Sequence, residues 1–171
     1  NTRHPSDEYL DLVDEDDQVI GRKLRSEIYA EGLSNFRVIN AFIINSKGEL
    51  WIPRRALTKR LFPLCLDMSV EGHVESGETY DQAFARETRE EVDMDTAKIP
   101  WRFLGKLTPH ADKVSAYMHV YEIRQDETPR YNPDDFVEYF WLKPKDLLTR
   151  ILAGERAKSD LPKLVKRFHL S

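Results

Sequence analysis

From Gly72 to Met94 the chain reads Gly-His-Val-Glu-Ser-Gly-Glu-Thr-Tyr-Asp-Gln-Ala-Phe-Ala-Arg-Glu-Thr-Arg-Glu-Glu-Val-Asp-Met, and no other stretch narrows the possible folds so far. A glycine-containing turn feeds straight into a helix. Thr79 is a good N-cap, and Gln82 follows at the spacing of a reciprocal capping box. The helix is expected to end near Val92 and Asp93. On a wheel of about 100° per residue, Tyr80, Phe84, Thr88 and Val92 share one stripe, the face for a core. Glu91 falls inside that stripe, Glu87 lies on its edge beside Tyr80, and Glu90 sits further round, one turn from Glu87.

A charged helix face is usually just solvated, but a solvated acid belongs opposite the apolar stripe. Like charges one turn apart cost a few tenths of a kcal/mol when exposed, and more when partly buried. A bound cation removes that penalty. Mg²⁺ takes a few carboxylates together with waters and phosphate oxygens, so the pattern points to phosphate chemistry. Arg86 and Arg89 supply counter-charge. Arg86 reaches Glu90 at i+4 and is placed to orient it.

The rest of the chain supplies a frame for this helix. Leu10 to Val13 reads as a strand, Asp14 to Asp17 as an acidic turn, and Val19 to Arg22 as its return. Arg25 to Glu31 is helix-like and stops at Gly32. Val38 to Ile44 is rich in β-branched and aromatic residues, and Ser46-Lys47-Gly48 turns it into Leu50 to Arg54, a hairpin. Leu64 to Val70 is an apolar stretch entering the glycine turn. Trp101 to Leu107, Val114 to Ile123 and Phe136 to Leu142 read as strands. Pro144 to Ala153, with Pro144 at an allowed first position, and Leu161 to Phe168 read as helices. Hairpins outnumber βαβ units, so the expected fold class is an α/β sandwich around a mixed sheet.

Composition excludes several function classes. The 171 residues suit one domain, with residues 1–7 expected as a disordered tail. A net charge of −4 argues against a nucleic-acid-coating role. No apolar run approaches the roughly 20 residues that cross a bilayer, so no membrane association is expected. Cys65 is the single cysteine, which excludes an internal disulfide and fits a reducing compartment. Asn1 to Ser6 lacks a signal-peptide core, and a cytoplasmic location is expected. A homodimer is the default assembly. Trp51, Trp101, Tyr117 and Tyr121 are each open to two readings, stacking on a base or packing in the sheet.

Gly72, Glu78, Arg86, Glu87, Glu90, Glu91 and Met94 fill without a gap the box by which the chain resembles the Nudix hydrolases. Thr88 stands where the box has an aliphatic residue, and Asp93 where it has a glycine. Aspartate tolerates a left-handed helix end better than most residues. The resemblance implies an α/β/α sandwich around a mixed sheet. It implies Mg²⁺ or Mn²⁺ held by Glu87, Glu90 and Glu91, with the Gly72 carbonyl as a further ligand and Glu78 supporting loop and helix. The implied reaction is attack of water on a phosphorus of a small-molecule diphosphate, often nucleotide-like. Glu91, Glu90 and Arg86 are its candidate catalytic residues, and Glu91 or a loop acid (Asp134, Asp135 or Glu138) its candidate base.

A second resemblance covers more of the chain. Asp11 to Asp16, the run Arg54-Arg55-Ala56-Leu57-Thr58-Lys59-Arg60, Pro63, Val70 to His73 and Gly77-Glu78 are similar to the isopentenyl-diphosphate isomerase branch. It implies diphosphate binding by Arg55 and Lys59, with Arg54 and His73 beside them. A basic loop next to a metal site suits that ligand, although a basic turn after a hairpin is also common as a solvated feature. The isomerase chemistry is not matched. Glu71 stands where that branch has its reacting cysteine, and Cys65 lies six residues upstream. Phe36 stands where a metal-binding histidine is expected, and Ser115 and Tyr117 where paired glutamates are. The reactive groups therefore resemble those of a hydrolase, with an isomerase and a silent nucleotide-binding module as the alternatives.

Overall fold

The computed structural model describes residues 7–170. Strands β1 (Tyr9–Val13) and β2 (Val19–Leu24) pair antiparallel as a separate ribbon. The acidic turn between them closes through Asp14, whose Oδ1 accepts from the backbone of Asp16 and Gln18 at 2.9 and 3.0 Å. Helix α1 (Arg25–Ala30) follows, and Gly32 takes the left-handed conformation (φ +67°) just past its end. Of the tail expected over residues 1–7, residues 1–6 lie outside the described residues. Asp7 is fastened, its carboxylate accepting from the backbone and hydroxyl of Ser26.

The main sheet comprises β3 (Arg37–Ile44), β4 (Leu50–Arg55), β5 (Val70–His73), β6 (Trp101–Leu107), β7 (Tyr117–Arg124) and β8 (Phe136–Leu142). Its order is β6-β7-β3-β4-β8, with β5 also paired to β3. The β3–β7 pair is parallel and the other pairs are antiparallel, which makes the sheet mixed as expected. The β3–β4 hairpin is registered only at Ile44 and Leu50. Beyond that point β4 runs with β8, and β5 takes the vacated edge of β3, pairing Val38–Ala41 against His73–Val70. This split brings Glu71, Gly72 and His73 to the middle of the molecule. Of the apolar stretch Leu64 to Val70, only Val70 enters a strand; Leu66 makes isolated bridges to Arg54 and Ala157.

Alternation along β3 feeds two cores. Ile39, Ala41 and Ile43 pack with Tyr80, Ala83, Phe84 and Val92 of α2 (Tyr80–Val92) on one face. Val38 and Phe42 face a second cluster with Ile28 of α1, Leu147 of α4 (Pro144–Leu152), and Leu161, Leu164 and Val165 of α5 (Asp160–Phe168). Helices thus cover both faces of the sheet, the layering of an α/β/α sandwich. A four-residue helix α3 (Pro109–Asp112) precedes β7, and Lys113 ends it in the left-handed conformation (φ +58°). That turn delays the strand expected from Val114 until Tyr117. Among the described residues no helix is long and apolar enough to cross a membrane.

Two predictions arise from the α2 face of the sheet. Thr88, in the aliphatic position of the box, is fully buried, and its hydroxyl makes no hydrogen bond among the described residues. Thr88→Val keeps the shape and removes an unsatisfied polar atom. It is expected to raise stability by about 1 kcal/mol in urea unfolding, without loss of activity.

The second concerns His119 on β7, which stacks on Tyr80 with ring centroids 3.5 Å apart and planes within 4°. Lys106, Asp17, Asp81 and Arg37 face it from the surrounding elements, and Phe103 flanks the ring. Burial, reinforced by Lys106, lowers its pKa to about 4. The folded protein thus keeps His119 neutral while the unfolded chain protonates near 6.5, so its contribution is complete above that pH and is lost as pH falls toward 4. Discounted for its partly exposed edge, the loss between pH 7 and pH 5 is about 1 kcal/mol. His119→Phe keeps the stack, and its urea stability should fall less than wild type across that interval.

Candidate active site

The glycine turn is held from three sides. Asp11, buried on β1, accepts from the Ser76 hydroxyl (2.7 Å) and the Gly77 backbone (3.1 Å). Glu78 reaches back to the Glu75 backbone at 2.8 Å, and Gly77 takes φ +88°. The capping box then starts α2: the Thr79 hydroxyl accepts from the Gln82 backbone at 3.1 Å, and Gln82 Oε1 accepts from the Thr79 backbone at 2.9 Å. At the other end Asp93 adopts φ +52°, the left-handed cap that the box otherwise assigns to glycine.

Arg86 is the hub of the site. Its guanidinium donates to both oxygens of Glu78 at 2.7 and 2.8 Å, to Glu87 at 2.5 Å and to the His73 carbonyl at 3.0 Å. Glu90, the i+4 partner expected from the sequence, lies 3.6 Å away. One planar fork therefore ties loop, strand β5 and helix together, which a lysine has too few fixed donors to do. Glu87 is buried, with its carboxylate lying over Gly72. A Cβ at position 72 would occupy the place of the Glu87 carboxylate, which explains the glycine.

The carboxylates are crowded. Burial, with repulsion from Glu90 and Glu71, pushes the Glu87 carboxyl up to about 7 despite Arg86. Burial, with Glu87 and Glu71, pushes Glu91 well above the usual range, although its Oε1 accepts from the Glu71 backbone at 3.1 Å. Glu71 behaves in the opposite way. Burial alone would raise it, but Lys158 at 3.1 Å, His73 and Arg55 outweigh burial and bring it down to about 2.

Among the described residues, no three carboxylate, imidazole or thiol groups converge on one point ready-made, since Glu87 turns to Arg86 and Glu91 to the backbone. The donor chemistry nevertheless fits a hard divalent cation. The donors are carboxylate oxygens, they repel one another, and the glycine leaves room for a carboxylate against the backbone.

The basic candidates separate. Arg55 donates to Asp67 at 2.8 Å and to the Leu61 carbonyl at 3.0 Å, and its charge is felt by Glu71 and Glu91. It therefore borders the acidic cluster. Lys59 binds Asp135 at 2.6 Å. Arg54 points elsewhere, to Glu138 at 2.5 Å, Glu155 at 3.1 Å and the Leu64 carbonyl. Asp135 and Glu138, two of the loop acids, are thus paired with cations. His73 shares a hydrogen bond with the Tyr29 hydroxyl (2.8 Å) and stacks on Phe36, centroids 5.7 Å apart. Ser115 donates to Asp160 at 2.6 Å, and Tyr117 starts β7 beside Arg37. Trp51, Tyr117 and Tyr121 are buried in the sheet, and Trp101 packs its edge on Phe84.

Lys158 and Asp67 escaped the sequence reading. Neither belongs to a motif, and Lys158 lies in the segment before α5, far along the chain from the box. Only the hydrophobic pattern of α5, which fixes where that segment docks, hinted at it.

Comparisons with known proteins bear on the family and the fold. The NUDIX domain family profile matches residues 35–166. An uncharacterized Nudix hydrolase of Nostoc sp. is 58% identical over 162 residues, covering 95% of this chain and 96% of its own. A crystal structure of a Deinococcus radiodurans protein superposes with a TM-score of 0.90 at 49% identity, over 95% of this chain and 100% of that one. An isopentenyl-diphosphate Delta-isomerase of Kocuria rhizophila is 28% identical over 86% of this chain and 84% of its own.

Proposed function

Because the chain belongs to the Nudix hydrolase family, with the isomerase-like branch among its more distant relatives, we propose that it cleaves a diphosphate bond in a small, nucleotide-like molecule with the help of Mg²⁺ or Mn²⁺. The observation that carries this reading is the set Glu87, Glu90 and Glu91 on one helix, with Glu87 against Gly72 and Arg86 beside Glu87 and Glu90. Glu87, Glu90, Glu91 and the Gly72 carbonyl would hold the metal. When bound, the metal supplies Lewis acidity to water and offsets the charge of the leaving diphosphate. Glu90 and Glu91 are the carboxylates assigned to the metal and the attacking water. Arg86 acts through them, fixing Glu87 and Glu90 in place. Arg55, at the border of the cluster, and Lys59 are the cations assigned to the diphosphate, with His73 at the end of β5 as a further candidate contact. Arg54 braces β4 against β8 and the residues after α4.

The test is a screen of nucleoside diphosphate sugars, dinucleotides, nucleoside triphosphates, coenzyme A and isoprenoid diphosphates with Mg²⁺ or Mn²⁺, read as phosphate-containing products. Turnover of at least one diphosphate is expected. Proton exchange into isopentenyl diphosphate, expected to be absent with Glu71 in place, would instead support the isomerase. No reaction across the panel would leave the reading without support.

A further inference from the structure

The β1–β2 ribbon lies outside the main sheet, yet it grips the junction between the glycine turn and α2 in two places. Along β1, the Tyr9 carbonyl accepts from the Ser76 backbone at 2.9 Å and Leu10 bridges Glu75. Asp11 beside them accepts from the Ser76 hydroxyl at 2.7 Å and the Gly77 backbone at 3.1 Å. In the turn after β1, Asp17 accepts from the Tyr80 hydroxyl at 2.7 Å, from Arg37 Nε at 2.8 Å and from Lys106 Nζ at 2.6 Å. Tyr80 is the first residue of α2, so the two acids hold either side of the turn–helix junction. Both carboxylates are buried.

Packing alone does not call for these acids. Leu10 and Val13 already seat β1 in the interior, Val19 and Ile20 on β2 stay exposed, and a buried carboxylate carries a desolvation cost that an apolar side chain avoids. What the carboxylate adds is direction, through charge-assisted hydrogen bonds. The residues Asp11 fixes lie between Glu75 and Glu78, the two turn acids that face Arg86, at 3.5 Å and at 2.7 and 2.8 Å. Arg86 in turn donates to Glu87 and stands 3.6 Å from Glu90. The ribbon therefore fixes the turn from outside where Arg86 grips it from inside, and a shift of the turn passes through one planar fork to the carboxylates of the site. A misplacement of about 1 Å at reacting groups costs on the order of 100-fold in rate.

We propose that Asp11 is a positioning residue for the reaction, acting through Ser76 and Gly77 on the turn that Arg86 grips, with Asp17 anchoring the same ribbon at Tyr80. The inference rests on the hydrolase reading above. Asp11→Ala should lower kcat on the best diphosphate at least about 10-fold and change KM less than about 3-fold, measured below the melting range of each variant. Asp11→Asn can still accept from Gly77 and donate to the Ser76 oxygen, so it should recover most of the lost kcat. Ser76→Ala removes one of the two contacts and should lower kcat in the same direction, with little added loss once Asp11 is replaced. Amide hydrogen exchange on the metal-free full chain follows the clamp without turnover. In Asp11→Ala the amides of residues 75–78 should exchange at least about 10-fold faster, while the interior of α2 keeps its protection. Wild-type kcat in Asp11→Ala, or no recovery in Asp11→Asn, would overturn the positioning role. If Asp11→Ala does not fold, wild-type kcat in Ser76→Ala overturns it instead. Unchanged exchange would overturn the clamp itself. A wild type without turnover would overturn the hydrolase reading and the positioning role with it, and the exchange result would still separate that failure from absence of the clamp.

Discussion

Glu90→Gln and Glu91→Gln each lower metal-dependent release of product by at least about 100-fold, the scale of losing a metal ligand or a group that activates water. The two variants should differ in stability. Glu90 lies at the exposed edge of α2, so its neutral variant leaves the unfolding midpoint nearly unchanged. Glu91 is pressed against Glu87 and Glu71, so removing its charge relieves repulsion and the metal-free protein becomes more stable. Loss of turnover together with a gain in stability is a combination that a simple packing defect cannot produce. Unchanged turnover in both variants would remove these residues from the mechanism.

Arg86→Ala is the most damaging single change expected for the folded state, at about 3 kcal/mol. The figure follows from stranding partly buried partners: Glu87 loses its 2.5 Å contact, Glu78 loses two, and the His73 carbonyl loses a donor. Glu87, already pushed up to about 7, would take up a proton more readily still. Arg86→Lys restores charge but not the fork that reaches three elements at once, so it should recover less than half of the stability and little of the turnover. Denaturant unfolding together with kcat and KM on the best substrate checks both statements. Full rescue by lysine would show that only the charge matters.

Much of this was legible in the chain because the informative interactions are local. The Thr79–Gln82 box, the Asp93 cap and the stripe Tyr80, Phe84, Thr88, Val92 are set by residues a turn or less apart, and the structure places each where its spacing implies. The wheel brought Glu87 and Glu91 to the core side of the helix, but Glu87, expected on the edge of the stripe, is the buried one, and Glu91, expected inside it, is half-buried. Less was legible where contacts join distant segments. The departure of β4 from β3 after Leu50 depends on competition between β5 and β8 for edges, which no local pattern encodes. Helix α3 is too short to show a period. The main partners of Arg86 were only partly foreseen, since the i+4 spacing pointed to Glu90 while the shortest contacts go to Glu78 and Glu87. Arg54 and Arg55 are neighbours with opposite fates, because successive residues on a strand point to opposite faces. The Lys158–Glu71 pair spans 87 positions (158 − 71), and charge alone gave no reason to join them.

The most direct test of hydrolysis is the fate of solvent oxygen during turnover of the best diphosphate substrate in oxygen-18 water, with Mg²⁺ present and after chelation. The prediction is one labelled oxygen in a phosphoryl group of a single product, and loss of turnover once the metal is removed. Product without label, or turnover that survives chelation, would contradict it.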